Sequence, residues 1–180
     1  QVKLLLDDLN AETIVFFRSF FGFLMMMILI FSQRKIQLFK THNLKIHFLR
    51  SIFGTLAMYF GYSSLQYISL SEATSIGYTK VLFSSLMAII FLKERINLHS
   101  LFLIFFGFLG VFLITLPTQS TNLLGIYMSI FSALCVAGGI ISISYLAKIE
   151  NTLTVILYHS FISSCIFLFF FIDQINLDLK

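Results

Sequence analysis

The sequence predicts an all-α fold, a polytopic membrane helix bundle, and three observations carry the prediction. The chain is 58% hydrophobic and 11% charged, with a mean hydropathy of +0.96, whereas a soluble domain carries about 25% charged residues. Six strongly apolar runs of about 20 residues follow one another, each long enough to cross a hydrocarbon core. With one Pro, nine Gly and 23 Phe, gathered in blocks such as FLFFF (167–171), the composition leaves little room for a loop-rich fold.

The spans are read at 13–31, 48–68, 73–92, 98–116, 122–146 and 153–172. The first, third and sixth are nearly unbroken runs apart from Arg18, Lys80 and His159. The second keeps the character of a span despite Tyr59, Ser63 and Ser64. The links are short except for SQRKIQLFKTHNLKIH (32–47). Cys135 and Cys165 both fall inside apolar runs, where they read as small buried hydrophobes.

A pI near 9.1 raises nucleic acid as a partner, but the basic residues cluster between the spans, so topology explains them better. The links after spans one, three and five hold eight of the 12 Lys and Arg: Arg34, Lys35, Lys40, Lys45, Arg50, Lys93, Arg95 and Lys148. The other side holds only Lys3 and Lys180. The positive-inside bias therefore puts 32–47, 93–97 and 147–151 in the cytoplasm and both ends of the chain outside. An outside start without a signal peptide is expected if a further span precedes residue 1, with VKLLL as its tail.

TIVFFRSFF (13–21) aligns with TVILYHSFI (154–162), pairing Thr13 with Thr154, Arg18 with His159, Ser19 with Ser160 and Phe20 with Phe161; Asn10 pairs with Asn151 at the same offset. Five spans separate the copies. An odd number reverses membrane orientation, which is the signature of an inverted-topology repeat of the kind secondary transporters use.

The stretches ETIVFFRSFFG (12–22), SEATSIGYTKVLFSSLMAIIFLKERI (71–96) and LIFFGFLGVFLI (103–114) make the chain resemble the EamA family of the drug/metabolite transporter superfamily. The shared features are Arg18 early in a helix, the Leu92-Lys93-Glu94-Arg95 segment closing another, and the Gly110-Val111 pair. The resemblance implies ten helices in an inverted five-plus-five repeat with both termini cytoplasmic, of which this chain covers helices two to seven. Residues 1–116 would be the first repeat lacking its first helix, and 117–180 the start of the second. Where the family often has a Pro in helix four this chain has Val81, and a straighter helix is expected there. Among relatives it resembles the S-adenosylmethionine uptake transporters of intracellular bacteria, which implies a multi-pass protein of the cell inner membrane.

A charge inside a span needs a partner or water. The helical face of Lys80 reads Ala73, Gly77, Ser84, Met87 and Ala88, against a bulky opposite face of Tyr78, Leu82, Leu86, Ile89 and Ile90. Lys80 is therefore expected to face the bundle interior, as a cation on a substrate path or as a tether toward Glu72. Arg18, beside Ala11, Val15, Gly22 and Met25, either meets substrate or snorkels to the outer interface. His159 is a proton relay or a hydrogen-bonded packing residue. The stripe Arg50, Gly54, Ala57, Gly61 and Ser64 reads first as a close helix-packing surface and second as a cavity wall. Tyr59 and Tyr62 flank it, positioned to stack on a planar substrate or to pack. Glu94 reads as a solvated cap.

Enzyme chemistry has no foothold: no HExxH, no metal-spaced Cys pair, no Gly-rich phosphate loop and no nucleophile elbow occur. His42, His47 and His99 lie in the links without convergent partners. No cofactor or metal is expected. The expected partners are the lipid bilayer and a small-molecule metabolite, not nucleic acid, and a homodimer is compatible with the reading. The sequence thus favours an alternating-access transporter of a small polar metabolite, S-adenosylmethionine or an amino-acid-like compound included. The alternative is an inactive membrane fragment or a helical subunit that depends on a partner.

Overall fold

Helices account for nearly all of the chain's regular structure, and their boundaries follow the apolar runs. A computed structural model describes residues 11–32, 34, 36–41, 43–92, 98–114 and 122–178. The elements are α1 (Ala11–Ser32), a 3₁₀ turn (Ile36–Phe39), α2 (Leu44–Ser64), α3 (Leu70–Gly77), α4 (Thr79–Leu92), α5 (Leu98–Ile114), α6 (Leu123–Leu146) and α7 (Thr152–Asp178). Each expected span has its helix. The second starts and stops earlier than expected, because the amides of Leu65–Ile68 turn back onto the carbonyls of 62–64.

Among the described residues, four stretches are long and apolar enough to cross a membrane: Ala11–Ser32, Leu70–Phe91, Leu123–Leu146 and Thr152–Phe169. These make the chain a multi-pass, all-α membrane bundle. In α2 the length is present, at 21 residues, but Lys45, His47 and Arg50 dilute its apolar character. In α5 the apolar core is the shorter Phe102–Val111.

The expected straight fourth helix is interrupted at Tyr78, between α3 and α4. Proline is not the cause. The Thr79 hydroxyl donates to the Ile76 carbonyl at 2.6 Å, and the Val81 amide donates to Tyr78 three residues back at 3.1 Å. Side-chain hydroxyls that compete for backbone carbonyls, with one tightened turn, break the helix while leaving its polar groups satisfied. The N-terminus of α3 is fixed by a capping box in which Ser69 and Glu72 each bond the other's amide. Asn122 and Asn151 cap the two long helices that follow, each accepting a backbone amide at 3.0 Å.

At the centre lies α2, which packs most extensively on α6 and also on α7. The α2–α6 crossing is antiparallel and close. Ser132 donates to the Ala57 carbonyl at 2.7 Å, and a Cβ at Gly61 would lie 3.0 Å from the Ser132 hydroxyl. The Phe53 ring fills the space left by Gly138, 3.1 Å from where a Cβ would stand, while Tyr67 and Ile68 close over Gly125. Such an approach requires small residues on both helices. Leu82, on the bulky face opposite Lys80, lies over Gly107 of α5.

The outer pair α1 and α7 is antiparallel as well. Met26 and Ile30 cluster with Leu157, Val15 and Phe16 with Phe167, and Phe23 meets Phe161 at 5.3 Å between ring centres. Cys135 is buried, but Cys165 lies on the exposed face of α7 rather than among buried hydrophobes.

Candidate functional site

One phase of α2, set by Arg50, Gly54, Ala57, Gly61 and Tyr62, faces a cavity of about 740 Å³. The C-terminal half of α6 closes one wall with Val136, Gly139, Ile140 and Ile143, and α3 with the start of α4 closes another with Ala73, Gly77 and Lys80. Arg18 reaches in from α1 and His159 from α7. The size suits a small organic ligand.

Lys80 therefore lies on the cavity wall, as its small-residue face predicts, and it also borders an adjoining space of about 140 Å³ beside Ser129 and Ser132. A Cβ at Gly77 would meet nothing within 4 Å, so this glycine adjoins open space and not a packed neighbour. The Arg18 guanidinium donates to the Tyr62 hydroxyl, and both residues border the cavity. His159 has a hydrogen-bonding neighbour and a place on the cavity wall. Its Nδ1 is 3.3 Å from the Ser163 hydroxyl, and its ring borders the cavity. Ser163 is held in turn by Thr55 at 2.8 Å.

Gly54 explains how Arg50 and His159 fit side by side. A Cβ there would lie 2.6 Å from His159 Cε1 and nearer still to the Arg50 guanidinium, which also passes Gly139. The stripe through Gly54, Ala57 and Gly61 is thus packing surface toward α6 and cavity wall at once, while Ser64 is buried and donates to the Gly61 carbonyl.

Two expected site residues lie elsewhere. Tyr59, one helical turn before Tyr62 on α2, is not part of the cavity wall. It borders a separate space with Glu12, whose carboxylate accepts its hydroxyl at 3.4 Å, and packs near Phe167. Ser84 is outside the cavity wall and donates to the Val81 carbonyl at 2.9 Å.

Arg50, like Lys45, is counted with a link by its charge but belongs to a helix. It sits inside α2, with its Nε buried and without a hydrogen-bond partner among the described residues. Its i, i+4 spacing to Gly54 was the available signal.

His47 also departs from expectation, because partners do converge on it. It is buried, with Nε2 3.9 Å from Glu150 Oε1 and its ring 4.8 Å from that of Tyr158. Glu150 accepts from Thr41 at 2.5 Å and from Asn43 at 3.4 Å. Thr154 and Tyr158 donate to the Leu38 and Phe39 carbonyls, so the link before α2 is fastened to the α6–α7 corner. His42, Lys93, Glu94 and Arg95 lie outside the described residues. Among the described residues, no group of His, Cys, Asp and Glu is arranged to hold a metal.

Known proteins give this geometry a context. Solute carrier family 35 member G1 of Mus musculus is 43% identical over 70 residues, which cover 39% of this chain and 19% of that protein. Uncharacterized transporters from two strains of Helicobacter pylori are 29% and 28% identical over 162 residues, or 89% of this chain and 54% of each relative. The chain thus spans about half the length of the Helicobacter proteins and less of the mouse one. No solved structure matches it. The EamA-like transporter family matches residues 1–116, and the chain belongs to that family.

Proposed function

We propose that the chain forms one side of the translocation path of a secondary transporter that carries a small polar metabolite by alternating access. The single observation that carries this reading is the convergence of Arg18, Arg50, Lys80 and His159 on one cavity inside an apolar bundle. Intramembrane ionisable groups are costly, and a solute path provides the water or counter-charge that retains them.

The inverted repeat belongs to the same proposal, with 1–116 and 117–180 as parts of its two halves. The antiparallel α1 and α7 carry the two aligned copies, and the aligned pair Arg18 and His159 borders a common cavity. The path would be completed by helices beyond those described, in keeping with relatives about twice as long. The proposed location is the cell inner membrane. Resemblance to S-adenosylmethionine transporters puts that compound among the solutes to be tested.

Vesicles carrying the protein are expected to accumulate a labelled solute saturably, with acceleration by the same solute preloaded inside. A panel of succinate, glycerol 3-phosphate, alanine and S-adenosylmethionine covers the charge types. Uptake of all four at the rate of empty vesicles, from protein that is inserted and monodisperse, would remove the transport reading.

Orientation follows from the charge bias. A single cysteine at Gln37 should react with a membrane-impermeant reagent only from the cytoplasmic side, and one at Gln66 only from outside. Both positions are exposed. The reverse pattern would overturn the proposed topology.

A further inference from the structure

We infer that the cavity between α2, α4 and α6 takes an organic dianion, a dicarboxylate or a phosphomonoester, and not a zwitterion or a cation. The inference rests on the transport reading above and names the substrate class of the same site.

Three basic side chains, Arg18, Arg50 and Lys80, line the cavity, and no Asp or Glu is among the described residues of its wall. A path for an amino acid or a sulfonium compound needs an acceptor for the positive group, and this wall offers none with a charge. Arg50 argues most directly for an anion. Its guanidinium lies over Gly54 and Gly139, both without side chains to hinder it, and its buried Nε donates to nothing among the described residues. A planar fork with spare donors matches the paired oxygens of a carboxylate or phosphate. Arg18 is oriented by the Tyr62 hydroxyl and keeps further donors. Lys80 adds a point charge on the opposite wall. A monoanion leaves most of this positive field uncompensated within a low-dielectric bundle, whereas two negative charges answer it.

Equilibrium binding to the protein in nanodiscs, measured by titration calorimetry, separates the classes without requiring transport. Succinate and glycerol 3-phosphate are expected to bind at least about tenfold more tightly than alanine or S-adenosylmethionine, a margin set by charge-assisted contacts. Arg50→Gln and Lys80→Gln should each weaken the binding by about tenfold or more. Lys80 is exposed, so its variant keeps the test valid even where Arg50→Gln fails to fold. Tight binding of only one dianion identifies carboxylate or phosphate as the group recognised. Alanine or S-adenosylmethionine binding as tightly as the dianions, no binding of either dianion, or unchanged binding by a folded Lys80→Gln would overturn the inference. Dianion binding without vesicle uptake would leave the inference standing and remove the transport reading. Uptake of alanine or S-adenosylmethionine without dianion binding would do the opposite.

Discussion

Gly54→Ala is expected to reduce uptake by about tenfold or more although it adds one methyl group and removes no charge. The new Cβ would lie 2.6 Å from the His159 ring and closer to the Arg50 guanidinium. Contacts this short cannot persist, so a neighbour must give way. The guanidinium is the flexible end and swings first, out of the geometry in which it faces the cavity. The ring has less freedom, since its Nδ1 is near Ser163, which Thr55 also holds. Overpacking of this kind costs about 1–3 kcal/mol, so a small fall in thermal stability accompanies the loss of uptake. Gly77→Ala is the comparison, because a Cβ there meets nothing within 4 Å. Its stability should match the parent. Wild-type uptake by Gly54→Ala would show that the placement of Arg50 and His159 is immaterial to the solute.

Lys80→Ala is expected to lower uptake to a tenth of the parent rate or below, with membrane insertion intact. A hydrogen bond to a charged group contributes about 1.5–3 kcal/mol, which corresponds to roughly ten- to a hundredfold in affinity. Insertion survives because Lys80 is exposed to the cavity and is not packed in a core. Lys80→Leu should insert slightly better, since it removes an intramembrane charge. Lys80→Arg should restore only part of the activity, because a wide planar guanidinium does not reproduce a compact ammonium. Uptake by Lys80→Ala at the parent rate for every solute in the panel would sink the functional role and leave Lys80 as a structural residue.

Local signals in the sequence carried the helices and part of the site. Lys80 and Arg18 stand out because charge in an apolar run is rare, and the stripe through Gly54 and Gly61 shows in its spacing alone. What was hidden depends on neighbours distant in the chain. His47 and Glu150 are brought together only when the α6–α7 corner meets the link before α2. Arg50 looks like one more basic residue near a link until α6 and α7 enclose it. Tyr59 and Tyr62 are equivalent by composition, and only the orientation of α2 separates them. The break at Tyr78 has no proline to announce it. It arises from the Thr79 hydroxyl and one shortened amide bond.

The central position of α2 also bears on how the protein is made. Its principal partner, α6, begins at Leu123, roughly 60 residues after α2 ends at Ser64. At synthesis rates of about 5–20 residues per second, that interval lasts about 3–12 s. Throughout it, Arg50 and the glycine face of α2 have reached the translocation machinery before the surface that will cover them has been synthesised. The least apolar of the long helices is therefore also one that must wait for its partners, so α2 is the stage of biogenesis most dependent on assistance from the insertion apparatus.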